Sequence, residues 1–270
     1  MRSRHERSLQ SRETQSISAS IEILWDGDVA VAVEKPANLP TQAAAGIESL
    51  ESVLRRQFAK RTDYVAFPHR LDRPVSGIIL VAFTKRAARL LSEQFASRKV
   101  AKEYRAIVQG NLSLGSEVKW IDPLRKIRDE AKAEIVSPGS LGARLAETRV
   151  RQLRYDAELD RSHLQLFPLT GRMHQLRLQT AHRGHPIVGD ELYGGPQLTA
   201  TENLANGAAL NTAATQDAPR IGGAVEAGQA GLDRESTPRI LLRAHELRFH
   251  DPRRGTRITV TASDKLDQSV

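Results

Sequence analysis

Residues 68–110 read PHRLDRPVSGIILVAFTKRAARLLSEQFASRKVAKEYRAIVQG, and this stretch sets the fold class. A proline-bounded loop leads through Ser76-Gly77 into the apolar run Ile78-Ile79-Leu80-Val81-Ala82, which has the length of a buried strand. Thr84 is placed to cap a basic amphipathic helix running to about residue 97, with Ala88, Leu91 and Phe95 along its apolar row. Alternation resumes at residues 102–108 and stops at Gly110, the pattern of a second strand.

Working outward, residues 21–34 read as two short strands around Asp26-Gly27-Asp28, followed by the proline-punctuated loop 35–40. Ile47, Leu50, Val53, Leu54 and Phe58 recur at helical spacing, which predicts a helix within 47–60. Further strand-like runs lie at 148–155, 164–169, 240–249 and 256–261. Many short strands with two or three helices between them predict an α+β fold, a mainly antiparallel or mixed β-sheet core with flanking helices.

The chain has 270 residues, 40% of them hydrophobic, enough to build a core without staples. It has no Cys, so disulfides, thiolate metal sites and cysteine nucleophiles are excluded. No apolar run approaches the ~18 residues of a membrane span. A cytoplasmic monomer with no membrane association is therefore expected. Residues 1–20 hold four Arg and read as a basic flexible tail, with residues 263–270 as a second tail. Between them, 21–262 reads as one domain interrupted by a low-complexity insertion at 196–237. That segment has ten Ala, five Gly and no aromatic residue, and is expected to be largely disordered. It carries Arg220 and Arg234 against Glu202, Asp217, Glu226, Asp233 and Glu235, net −3, which leaves +11 on the rest of a chain whose total is +8. Such a basic body suits a polyanionic partner, RNA or DNA first, although ordinary soluble enzymes can be as basic. With only 12 aromatic residues, a platform that stacks single-stranded bases is not expected.

Two segments carry candidate chemistry. In Pro68-His69-Arg70-Leu71-Asp72-Arg73-Pro74, the arginines favour an ionised Asp72 on a shaped loop. Residue type and spacing alone favour the plainer alternative, a carboxylate bracing a turn. The second is LTGRMHQLRL, residues 169–178, continued by AHRGHPIVGD at 181–190. Here a strand ends in Thr-Gly and a helix is expected to begin with Arg172 in its first turn. An arginine there opposes the helix dipole, so a carboxylate or phosphate should hold it. His182 and His185 lack a third ligand at matching spacing, which argues against a metal site.

Four blocks in order, HRLDRPVSG (69–77), KEYRAIVQG (102–110), LTGRMHQLRLQTAHRGHPIVGDELYGG (169–195) and LLRAHELRF (241–249), resemble the RluA-type pseudouridine synthases. These enzymes modify uridines in ribosomal or transfer RNA. The resemblance covers roughly residues 22–195 and 239–262. It implies the pseudouridine synthase catalytic fold with a central active-site cleft, and a reaction needing no metal or other cofactor. By motif, the catalytic aspartate falls on Asp72, the active-site tyrosine on Tyr104, and the arginine partner of the aspartate on Arg172. Arg70 matches the arginine that fills the stack when the target base leaves it. A hydrophobic wall for the uracil is expected near Ile187 and Val188. The chain departs from the family in having Val75 ahead of Ser76-Gly77, and Arg243 where a histidine is usual.

The resemblance thus implies that Asp72 and Arg172, 100 residues apart, pair in one cleft beside Tyr104. Taken alone, Tyr104 reads more simply as a core aromatic. Lys85, Arg86 and Arg89, on one helix face, are expected to track RNA phosphates, with a solvated face as the plain alternative. A non-catalytic RNA-binding or ribosome-assembly protein on the same scaffold is the main competing function. It has no need of Asp72, Tyr104 and Arg172 together. A glycoside hydrolase would need a second acid, and neither Asp63 nor Asp190 has a matching context.

Overall fold

A computed structural model describes residues 20–198 and 239–263. The insertion and both terminal tails read from the sequence lie outside these residues almost entirely. In chain order the elements are β1 (Ile23–Asp26), β2 (Ala30–Lys35), α1 (Leu50–Gln57), β3 (Ser76–Ala82), α2 (Lys85–Ala96), β4 (Ala101–Gln109) and β5 (Val118–Lys126). There follow β6 (Ala133–Ile135), β7 (Arg144–Asp156), β8 (Arg161–Pro168), α3 (Gln175–His182), a 3-10 turn (Glu191–Tyr193), β9 (Leu242–His250) and β10 (Arg257–Thr261). The strands form one sheet in the order β1-β2-β3-β9-β4-β8-β7-β5-β6, with β10 on β9. Every pairing is antiparallel except β3 with β9. The expected α+β class with a mixed, mainly antiparallel sheet is what the chain forms. Among the described residues, no helix is long and apolar enough to cross a membrane.

Strand periodicity explains why β2 and β3 are buried on both sides. Val31, Val33, Ile79 and Val81 join the core under α1, where Leu50 and Leu54 are fully enclosed. Ala30, Ala32, Ile78, Leu80 and Ala82 point the other way, onto Ala87 and Leu91 of α2. Each enclosed Leu or Ile contributes about 1.5–3 kcal/mol. Both helices start at side-chain caps. Ser49 Oγ accepts from the Ser52 amide at 3.2 Å, and Thr84 Oγ1 from the Ala87 amide at 3.1 Å.

The third helix differs from expectation. It begins at Gln175 rather than around Arg172, because His174 takes a left-handed backbone (φ 52°, ψ 24°) that ends the preceding loop. Arg172 therefore lies outside the helix.

The parallel contact of β3 with β9 closes the sheet next to the Asp72 loop, with Ser76 opposite Arg243 and Gly77 opposite Ala244. Arg243, where the resemblance leads one to expect histidine, makes a buried 2.7 Å ion pair with Glu34 of β2. Val75, the other departure, is buried in the core. Gly77 is required twice over. Its φ is +112°, and a Cβ there would sit 2.6 Å from the Ala244 nitrogen.

Gly77→Ala should therefore cost about 2–5 kcal/mol, combining backbone strain with overpacking. Gly46→Ala is the control, since Gly46 also has a positive φ (+85°) but open space around it, and it should cost about 1–2 kcal/mol. Thermal or denaturant unfolding of the two variants checks the difference; equal losses would contradict the role given to the β3–β9 contact.

Candidate active site

The loop carrying Asp72 is fixed from beneath by a lysine. Lys35, at the end of β2, is fully enclosed, and its ammonium donates to the carbonyls of Pro36 and Leu39 at 2.8 Å and of Arg73 at 3.1 Å. Burial pushes its pKa down to about 7, while the nearby Asp72 and Glu34 charges act in the opposite direction. Two more bonds bind the same loop to residues 38–41. The Asn38 amide donates to the Arg73 carbonyl at 2.8 Å, and Thr41 Oγ1 donates to the Leu71 carbonyl at 3.1 Å. At the other end, His69 Nε2 accepts from the Leu80 amide at 2.9 Å and the ring stacks on Phe95. Burial, helped by Lys102, holds the His69 pKa down to about 3, so this ring is neutral and structural.

Asp72 presents its carboxylate to two groups from the third sequence block. Arg177 Nη1 lies 3.5 Å from Asp72 Oδ2, and His174 Nε2 lies 3.8 Å from the same oxygen. Arg177 is itself clamped: its Nε and Nη2 each donate at 2.7 Å to the carboxylate of Asp190, a fully buried residue. Burial opposes the charge on Arg177, but the Asp190 fork, with Asp72 beyond it, raises its pKa overall.

Here the expected pairing needs correction. Arg172 lines the cleft, but its Nε donates to the Leu145 carbonyl at 3.1 Å. The guanidinium that reaches Asp72 is that of Arg177. An arginine in the first turn of a helix does need an anion to hold it, and α3 starts three residues later than expected. The rule therefore selects Arg177, which has two carboxylates.

Tyr104 stands on β4 opposite Leu166 and Ala244 and lines the same cleft. Burial, and secondarily the Asp72 charge, raise its pKa, so the phenol keeps its proton at neutral pH. Its hydroxyl has no protein hydrogen-bond partner among the described residues. Arg70 is exposed at the cleft and likewise makes no hydrogen bond or ion pair among them.

The cleft has a volume of about 1720 Å³ and is rimmed by Arg98, Lys126, Arg149 and Arg172. Lys102 lies deeper, donating to the Thr170 carbonyl at 3.2 Å, with burial lowering its pKa to about 8. A smaller pocket of about 130 Å³ opens from its floor, bounded by Asp72, Tyr104, Val75, Leu176 and Leu242. A buried cavity of roughly 150 Å³ is known to hold one benzene, so this pocket suits a single flat ring.

One other expectation is corrected. Ile187 and Val188 are fully buried behind β4, hydrogen-bonded to it through the backbone, and do not line either pocket. The apolar wall is made by Val75, Leu176 and Leu242 instead. Lys85, Arg86 and Arg89 are exposed on the first half of α2 and do not line the cleft, and Arg89 pairs with Glu93. The cleft is reached only by the far end of that helix, through Phe95, Ala96 and Arg98.

The family model for RNA pseudouridylate synthase matches residues 29–182. Over 186 residues the chain is 36% identical to tRNA pseudouridine synthase C of Haemophilus ducreyi, covering 64% of this chain and 74% of that protein. It is 29% identical over 241 residues to ribosomal large subunit pseudouridine synthase C of the same organism, covering 89% of this chain but 64% of the relative. The chain thus spans just under two thirds of that second relative. Among solved structures, human RNA pseudouridylate synthase domain containing 1 superposes with a TM-score of 0.65 at 26% identity, over 93% of this chain and 86% of that one.

The two arginines are separable by mutation. Arg177→Met leaves Asp190 as an unpaired buried charge and should cost about 3–5 kcal/mol. Arg172→Met removes an exposed hydrogen bond and should cost less than about 1 kcal/mol. Denaturant unfolding of both variants reads the difference; similar losses would contradict the assignment of Arg177 as the anchored partner.

Proposed function

The chain belongs to the RNA pseudouridylate synthase family, and on that premise we propose that it isomerises uridines of ribosomal or transfer RNA to pseudouridine in the cleft around Asp72. The observation that carries this reading is an aspartate held by a clamped arginine, Arg177, at the mouth of a ring-sized pocket that also contains Tyr104. The isomerisation breaks the bond from ribose C1′ to uracil N1 and forms one from C1′ to C5. The C5 proton leaves and N1 gains one, so the base is only rearranged.

Asp72 supplies the carboxylate for the step at the glycosidic bond, and Arg177, 3.5 Å from Oδ2, orients it. Tyr104 offers a ring face to the extruded uracil, and its phenol, protonated at neutral pH, can take the C5 proton only as it passes its own on to solvent. Arg70, exposed and unpaired among the described residues, is suited to take the place of the flipped base in the RNA stack. Extrusion costs a few kcal/mol, which phosphate contacts along the basic rim must offset. The relatives' names divide between transfer and large-subunit ribosomal RNA, so both are candidate substrates. A cytoplasmic monomer is the accompanying proposal, the cysteine-free sequence bearing on the compartment alone.

Asp72→Asn preserves shape and removes charge. Tritium release from RNA labelled at uridine C5 should fall to background, while RNA affinity stays within a few fold. Near-normal release by this variant would overturn the proposed chemistry. Neutralising Arg98, Lys126 and Arg149 together should weaken binding across RNA sequences and flatten its salt dependence by up to ~0.9 log units per lost duplex phosphate contact. The matching triple change at Lys85, Arg86 and Arg89 should have a smaller effect. The reverse ranking in a salt titration would move the RNA path onto α2.

A further inference from the structure

The mechanism so far leaves His174 and Tyr193 unused, although both are packed into the site. His174 is nearly enclosed, with its side chain 10% exposed, and it adopts the left-handed backbone at the start of α3. It makes no capping bond to the helix. Its ring is hydrogen-bonded at one nitrogen and faces a carboxylate with the other: Nδ1 lies 2.9 Å from the Tyr193 hydroxyl, and Nε2 faces Asp72 Oδ2 at 3.8 Å. Tyr193 follows Asp190 by three residues in the 3-10 turn, and the Arg177 guanidinium lies 5.2 Å from its ring centre. The Ala133 amide of β6 donates to the Tyr193 oxygen at 3.1 Å, and the Ala133 carbonyl, at 3.3 Å, competes with His174 Nδ1 for the one hydroxyl proton. β6 closes the hairpin whose residues Lys126, Asp129, Glu130 and Ala131 line the cleft.

The direction of the protons follows from the charges. A neutral imidazole has one N–H, and its other nitrogen is a lone-pair acceptor. Were Nδ1 protonated, the Nε2 lone pair would face an anionic carboxylate. With Nε2 protonated, its N–H points at Asp72, and Nδ1 accepts from the Tyr193 hydroxyl, whose oxygen already accepts from Ala133. This arrangement gives the hydroxyl proton to the nearer acceptor, Nδ1 at 2.9 Å rather than the Ala133 carbonyl at 3.3 Å, and turns the ring N–H toward the carboxylate. Burial lowers the His174 pKa and raises that of Tyr193, which keeps the ring neutral and the phenol protonated.

One consequence concerns the two oxygens of Asp72. Arg177 and His174 both address Oδ2, while Oδ1 has no hydrogen-bond partner among the described residues. Resting on the reading of Asp72 as the reacting carboxylate, we infer that His174 and Tyr193 are positioning residues: the Nε2–H tautomer of His174, fixed by the Tyr193 hydroxyl, anchors Oδ2 with Arg177 and leaves Oδ1 to meet the ribose. At 3.8 Å the contact is a charge–dipole approach, and the anchoring requires it to shorten to hydrogen-bond length when substrate is bound. The same chain ties the cleft-lining hairpin, through Ala133, to the orientation of the carboxylate.

The test uses the full chain. Long-range proton–nitrogen correlation spectra of the histidine rings, with His174 assigned by its loss in His174→Gln, read the tautomer without reference to activity. The expected result is a protonated Nε2 and a hydrogen-bonded, unprotonated Nδ1, whose resonance shifts to that of a free lone pair in Tyr193→Phe. In the tritium-release assay on transcribed ribosomal and transfer RNA, Tyr193→Phe should lower kcat on the order of 10-fold, as expected for a misplaced reacting group, with KM within twofold. His174→Gln, which retains a donor toward Asp72, should keep more turnover than His174→Ala. A protonated Nδ1 in the wild type, or wild-type kcat in Tyr193→Phe, overturns the inference. Failure of the underlying reading appears separately, as turnover by Asp72→Asn or none by the wild type.

Discussion

The buried fork between Arg177 and Asp190 is the contact on which the site depends. A guanidinium inside a protein is tolerable only when its donors are matched, and Asp190 takes two of them at 2.7 Å each. With that carboxylate neutralising it, Arg177 stays charged and cannot swing, so the third donor edge points in a fixed direction, at Asp72. Removing Asp190 would leave Arg177 free to pair closely with Asp72 and take it away from the cleft. The two carboxylates therefore share one arginine in unequal roles. The enclosed one sets geometry, and the partly exposed one faces the pocket.

The rest of the fold delivers Asp72 to that fixed arginine. Lys35 gathers three carbonyls around one ammonium and so holds the loop 36–40 against the loop 71–74. Gly77 lets β3 approach β9 backbone to backbone, which sets where the loop leaves the sheet. His69, neutral and stacked on Phe95, closes its other end. The sheet supplies the precision: Asp72 precedes β3, Tyr104 lies on β4, and β9 is hydrogen-bonded between the two. Residues far apart in sequence thereby converge on one pocket.

How far the sequence could be read follows from which interactions are local. The strand–helix–strand run from β3 to β4 was legible because apolar periodicity and the Thr84 cap are local signals. β5 and β6 were not recognised: Pro123 and Asp122 interrupt the first, and the second has three residues. The motifs group Asp72, Tyr104 and Arg70, and all three line the cleft. The motif alone puts the arginine partner on Arg172, and no local signal corrects it, because the left-handed turn at His174 that delays α3 has no signature in the sequence. With the helix starting at Gln175, the need of a first-turn arginine for an anion falls on Arg177 rather than Arg172. Ile187 and Val188 look like a pocket wall in one dimension, yet their backbone bonds to β4 turn them into the core. The role of Lys35 is likewise invisible locally, since its acceptors include Arg73, 38 residues away.

The central claim is that a flipped uridine meets Asp72 while Arg177 holds the carboxylate from behind. A crystal structure of the chain with RNA carrying 5-fluorouridine tests it most directly, because fluorine replaces the proton that must leave C5. The account predicts the fluorinated nucleoside in the pocket between Tyr104 and Leu242, its ribose C1′ facing Asp72 and Arg177 still forked to Asp190. A base lodged elsewhere in the cleft, or Asp72 turned from the ribose to pair with Arg172, would contradict it.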